Sequence, residues 1–276
     1  MLSPPFGEGF ELCYNLGKTS KERQVTDRKV EKPHMLTVRN LSKKWKDGTE
    51  ILNKVSFQVD DGEFIAVIGA SGSGKTTLLN CLSLKEKWDQ GQYIYNNRDI
   101  SGLNPFQAYS LRQEWGFLTE NPDVNPSKNA LKNVLDSRYQ HMSLVRRVFR
   151  KESQDEHVYA MDFLEKVGLL DKAREPVSKL SGGEKQRVGI AKALIKGAKV
   201  IFADEPLKGL QPEAQNRVME DLRNVCKRDQ VTVICAISSL EHAERYASRI
   251  WGISGGKIVL DIAARKLTQR EKDIVF

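Results

Sequence analysis

The sequence predicts an α/β fold in which a buried, parallel βα core is interrupted by a mostly helical insert. Three observations carry that expectation. The runs FIAVIGA (64–70), AKVIFADEP (198–206) and VTVICAI (231–237) are nearly continuous in apolar residues and each gives way to a helical pattern. Strands buried on both faces of a parallel sheet read this way. A glycine-rich turn, GASGSGKTT, joins the first run to its helix. Between these runs, residues 121–178 turn mainly helical and carry much of the charge.

The elements follow in order. MLTVRNL (35–41) and VSFQV (55–59) read as strands, and the Asp-Gly pairs in KDGTE and DDGE supply the turns after them. FIAVIGA is the first fully buried strand, and TTLLNCLSL is its helix. After the insert, AKVIFADEP and VTVICAI are two more buried strands, each with a helix behind it. RIWGIS and GGKIVLDI form a terminal hairpin, and a charged tail closes the chain with one helix. Residues 1–34 have neither a basic start nor an apolar run. They are expected to be a polar, disordered extension rather than a secretory signal, with Met35 opening a folded domain that spans 35–276.

Composition narrows the function classes. Hydrophobic residues make up 39% of the chain, enough for a core, yet no apolar run has the length of a membrane span. A net charge of +8 permits phosphate or acidic partners. No basic stripe with interleaved aromatics and no helix-turn-helix pattern is present, so no nucleic-acid partner is expected. Cys13, Cys81, Cys226 and Cys235 lack metal-ligand or disulfide spacing, which points to a reducing cytoplasm and to Cys81 and Cys235 as core residues.

The chemistry starts at residues 69–77. Gly69, Ala70, Ser71, Gly72, Ser73, Gly74, Lys75, Thr76 and Thr77 match G-x-x-x-x-G-K-[ST] between a strand and a helix. Glycines let such a loop curl its N–H groups inward around anionic oxygens, Lys75 reaches the β- and γ-phosphates, and Thr76 ligates Mg²⁺. A random chain of this length shows the pattern roughly once in a hundred. KVIFADEP then delivers Asp204 and Glu205 to the end of a buried strand. There Asp204 suits magnesium and Glu205 suits activation of water. In LSGGEKQR (180–187), Ser181, Gly182, Gly183 and Glu184 open a helix and form a second cradle for an anion.

This third motif closely resembles the signature of ATP-binding cassette (ABC) ATPases, and all three motifs stand in that family's order over residues 35–275. The resemblance implies a P-loop NTPase of the ABC type: a RecA-like parallel core, an antiparallel β subdomain and a helical subdomain at about 121–178. It implies ATP and Mg²⁺ as cofactors, and two ATPase subunits that sandwich ATP, so that residues 181–184 complete the opposite subunit's site. Trp45 falls where an aromatic side chain stacks on adenine, with plain strand packing as its other reading. Glu120 stands where the family usually has a magnesium-touching glutamine; a glutamate there can still ligate Mg²⁺ beside Thr76 and Asp204, but adds a negative charge near the triphosphate. LKGLQP (207–212) stands where S-x-L-D or G-L-D is usual, so Gln211 replaces an aspartate. Ser238 stands where a histidine contacts the γ-phosphate. His242, one turn further on, reads as an exposed helix residue rather than a substitute.

Residues 133–173 and the C-terminal segment are similar to ATPase subunits of phosphonate importers. The resemblance therefore implies the motor subunit of an importer for phosphonate or a related oxyanion. Such a subunit works with a transmembrane permease, in the cytoplasm on the inner face of the cell membrane. A second class of function stays open: an accessory or regulatory subunit with weak hydrolysis, paired with a standard ATPase.

Overall fold

A computed structural model describes residues 34–139 and 154–276. Strands β1 (Leu36–Lys44) and β2 (Glu50–Val59) pair antiparallel, and β1 also pairs with β4 (Gln90–Tyr95). With the short β5 (Arg98–Asp99) they form a four-stranded antiparallel sheet in the order β2-β1-β4-β5. The KDGTE turn works as expected: Asp47 accepts the Thr49 N–H at 3.0 Å, and Gly48 takes a φ of +89° that favours glycine.

A second sheet has six strands in the order β10-β9-β3-β8-β7-β6. These are β3 (Phe64–Ile68), β6 (Gly116–Thr119), β7 (Val200–Asp204), β8 (Thr232–Ala236), β9 (Arg249–Ser254) and β10 (Lys257–Ala263). All neighbours run parallel except the terminal hairpin β9–β10. Helices α1 (Lys75–Leu82), α2 (Pro105–Gln113) and α3 (Ala130–Arg138) precede the second half of the chain. There α4 (Gln154–Lys166), α5 (Gly182–Ile195), α6 (Pro212–Asp229), α7 (Leu240–Tyr246) and α8 (Gln269–Val275) follow.

Burial on both faces explains the continuous apolar runs. Ile65 and Val67 of β3 join the core shared with the antiparallel sheet and α1, whereas Phe64, Ala66 and Ile68 join the core against α3, α5 and α6. Period-two alternation is thus present but invisible in the sequence, because both faces are apolar. Trp115 and Trp251 fill the inter-sheet layer. Trp251 lies 4.3 Å from the Phe57 ring centroid, and Trp115 lies 5.3 Å from Phe202.

The structure adds elements the sequence reading lacks. Strand β6 is only four residues long, yet it continues the parallel sheet by pairing Gly116–Thr119 with Ile201–Asp204. Gly116 is required there, because a Cβ would lie 2.6 Å from that of Ala193. The helical insert contains α3 and α4. Its residues 140–153, and residues 1–33 of the expected extension, lie outside the described residues. No described helix is long and apolar enough to cross a membrane.

Candidate functional site

Four parallel strands, β3, β8, β7 and β6, bring their C-terminal ends to one edge of the sheet, which is where open α/β sheets place their ligands. The loop after β3 is the glycine-rich turn. Gly74 adopts φ +107° directly before α1, and a Cβ there would meet the Ile51 carbonyl at 3.0 Å. From the other side the β9–β10 turn, Gly255-Gly256, leans on this loop: Gly256 donates to Ser73 O at 3.3 Å and accepts from Asn53 at 2.9 Å. A Cβ on Gly256 would sit 2.2 Å from Ile51 O. The loop is therefore clamped between β2 and the hairpin.

Inside the clamp, Lys75 is buried, and its ammonium donates to Gly69 O at 2.8 Å and Ala70 O at 3.0 Å. A buried cation held by carbonyls alone carries an unneutralised charge. The Ser73 hydroxyl, also buried, has no hydrogen-bond partner among the described residues. An anion supplying several acceptor oxygens would satisfy both groups, so a phosphate fits this loop.

Asp204 and Glu205 follow from β7. The Thr76 hydroxyl donates to Asp204 Oδ1 at 3.2 Å. Burial raises the Asp204 carboxyl above the usual carboxylate range and the adjacent Glu205 charge raises it further; Thr76, Lys85 and Lys75 pull it down. A cation would relieve that strain on the charge. No set of three His, Cys, Asp or Glu side chains converges into a metal cage among the described residues. P-loop magnesium needs none, since phosphate and water oxygens complete its shell around a hydroxyl and a carboxylate. Thr76 and Asp204 fit it.

Glu205 has a left-handed backbone, φ +47°, while its N–H still bonds Ala236 O of β8 at 2.9 Å. Its carboxylate meets the next strand's edge: the Ser238 hydroxyl donates to Glu205 Oε1 at 2.6 Å. Ser239 caps α7 by accepting from His242 N, and its hydroxyl also lies 2.6 Å from His242 Nδ1. His242 is half-buried and stacks 6.0 Å from Tyr246, which corrects the expectation of an exposed helix residue. The capping contact draws the ring inward.

The remaining residues take separate places. Trp45 stands beyond the end of β1 at 64% exposure, so it is not packed into a strand face. Ser181 caps α5 in a reciprocal box with Glu184: its N–H donates to Glu184 Oε2 at 2.8 Å, and its hydroxyl accepts from Glu184 N at 3.3 Å. Burial opposes ionisation of Glu184, but Lys172 and Ser181 outweigh it and hold the carboxyl below its usual range. Gly183 is buried, with room for a Cβ closed by Ala214 of α6 at 2.8 Å. Gln211 is the N-cap residue of α6 and makes no side-chain cap bond.

Glu120 directly follows β6, and its Oε2 accepts from Lys208 Nζ at 2.8 Å. Gln186 of α5 is fully buried and donates to Thr119 O at 2.6 Å and Glu120 O at 3.3 Å. Sequence reasoning missed Lys208 and Gln186. The signal for Lys208 was available as a carboxylate, Glu120, where the resembled family carries a neutral glutamine, with a lysine in the loop after β7 to answer it. Gln186 had no such signal.

Comparison with known proteins shows the family. The family model for ABC transporters matches residues 52–208. The phosphonates import ATP-binding protein of Lactococcus lactis subsp. cremoris is 36% identical over 242 residues, covering 88% of this chain and 98% of that protein. The corresponding protein of Trichodesmium erythraeum is 34% identical, with 88% and 95% covered. Among solved structures, a dimeric ATP-binding cassette in a post-hydrolysis state with ADP and phosphate is 26% identical with a TM-score of 0.71, covering 84% of this chain and all of that one. A subunit from Clostridium perfringens, part of an ABC transporter complex, is 26% identical with a TM-score of 0.75, covering 88% and 93%.

Proposed function

Since this chain belongs to the ABC transporter family and is an ATPase of its P-loop fold, we propose that it is the motor subunit of an importer for phosphonate or a related oxyanion. The observation that carries the importer reading is the near end-to-end similarity to two proteins named for phosphonates import. In this reading the subunit binds a permease at the inner face of the cell membrane and pairs with a second ATPase. The dimeric cassette that shares the fold supports that pairing.

The residues divide the labour. Lys75 and the inward N–H groups of residues 69–77 bind the triphosphate, with Ser73 donating to an oxygen. Trp45 offers an exposed face to adenine. Thr76 and Asp204 hold magnesium, which would screen charge on the phosphates. Glu205 takes the proton from the attacking water, and Ser238 fixes one carboxylate oxygen so that Oε2 is left for that proton. Ser181, Gly182, Gly183 and Glu184 close the opposite subunit's site.

The Ser238–Glu205 bond also favours a second reading, an accessory subunit with weak hydrolysis, because a hydroxyl cannot carry the imidazole's charge at the γ-phosphate. One experiment separates the two. Steady-state ATPase rates are measured on the purified chain alone and with its permease, alongside uptake of a phosphonate by cells with and without this chain. Stimulated turnover and chain-dependent uptake are expected. Negligible turnover in both preparations sinks the motor reading, and uptake that ignores the chain sinks the cargo.

A further inference from the structure

Two departures from the family pattern meet in space. Position 120 usually carries glutamine, and position 208 is serine where the loop takes the S-x-L-D form; here they are glutamate and lysine, joined by a 2.8 Å ion pair. Both stems are fixed. The buried Gln186 amide grips the carbonyls on either side of the Thr119–Glu120 link, and Lys208 N donates to Glu205 O at 3.2 Å. Thr119 stands opposite Asp204 in the β6–β7 register, which places Glu120 beside the carboxylates of the ATP site. The Lys208 ammonium feels the Glu205 charge as well as that of Glu120.

An exposed ion pair of this kind adds little to stability. Its effect on a bound polyanion is another matter. A bare carboxylate at position 120 would add a third negative charge, after Asp204 and Glu205, to an edge that must accept a triphosphate. We propose that Lys208 is a positioning residue of the ATP site: it neutralises Glu120, so the pair presents no net charge where the family pattern has a neutral glutamine at position 120. The inference rests on the ATP-binding reading above. It also assigns the loops after β6 and β7 a shared electrostatic tie, in which Glu120 depends on Lys208.

The test is ATP titration by calorimetry, in Mg²⁺ and in EDTA, on the full chain and three variants. Removing Lys208 exposes the charge on Glu120, so Lys208→Ala is expected to weaken Mg-free ATP binding roughly tenfold. The loss should shrink as salt is added, because these charges are solvent-exposed. Glu120→Gln alone leaves the cation and is expected to tighten Mg-free binding. The double variant, Glu120→Gln with Lys208→Ala, should fall within about twofold of the wild type, since two neutral side chains replace one neutral pair. If Lys208→Ala costs as much in the Glu120→Gln background as in the wild type, the proposal is overturned in favour of direct phosphate contact. No loss in either background would show the pair to be idle. A wild-type chain that binds no ATP would overturn the parent reading and this one with it, a result distinct from both.

Discussion

The phosphate loop and the loops after β6, β7 and β8 sit on the same sheet edge but are built by opposite means. The first is backbone. Gly74, the clamp from Gly256 and Ile51, and the buried Lys75 leave almost no freedom in which residues can stand there. The second is side chain on exposed loop, with Lys208 at 63% and Glu120 at 46% exposure. It departs from the family pattern at Glu120, Gln211 and Ser238, whereas the first departs nowhere. In the proposed reading, holding the nucleotide rests on this main-chain geometry. In the same reading, acting on it rests on side-chain charges and donors carried on loops.

Three variants break or sharpen that contrast. Glu205→Gln keeps the shape and removes the proton acceptor, so hydrolysis should drop roughly a thousandfold while ATP affinity stays within about twofold. Single-turnover kinetics beside calorimetry checks it, and turnover at the wild-type rate would remove Glu205 from the base role. Lys75→Ala should weaken ATP binding by about a hundredfold or more, through loss of a charge-assisted contact in a closed loop. Unchanged affinity would break the contrast at its stronger end. Ser238→His has the smallest expected effect. A donor at the γ-phosphate matters most in the transition state, so the rate should rise a few-fold to about tenfold with affinity unchanged. A lower rate with intact folding would mean that the serine is fitted to Glu205 rather than standing in for a missing group.

What could be read from the sequence follows the same division. The strands β3, β7 and β8 and the loop after β3 were legible because burial on both faces and a glycine-lysine pattern constrain residue type directly. Strand β6 and helix α2 were not. Four residues, GFLT, carry no period of their own and become a strand only by pairing with β7. Helix α2 buries none of its residues, so no apolar stripe marks it, although Asn104 caps it with a reciprocal box to Gln107. The ion pair at Lys208 was hidden for a third reason: residues 88 apart in the chain meet only once β6 and β7 are neighbours.

The left-handed backbone of Glu205 has a consequence for stability. A side chain bearing a Cβ at φ +47° costs about 1 kcal/mol that glycine would not incur. Glu205→Gly should therefore melt no lower than the wild type in calorimetry while losing hydrolysis. The fold would be at least as stable without this carboxylate. What keeps it in place is its position: the twist that strains the backbone also turns the carboxylate out of the ladder with β8 and onto Ser238. Six other described non-glycine residues, Lys54 and Leu84 among them, share a positive φ; what sets Glu205 apart is that its carboxylate stands on the sheet edge with Asp204 and Ser238.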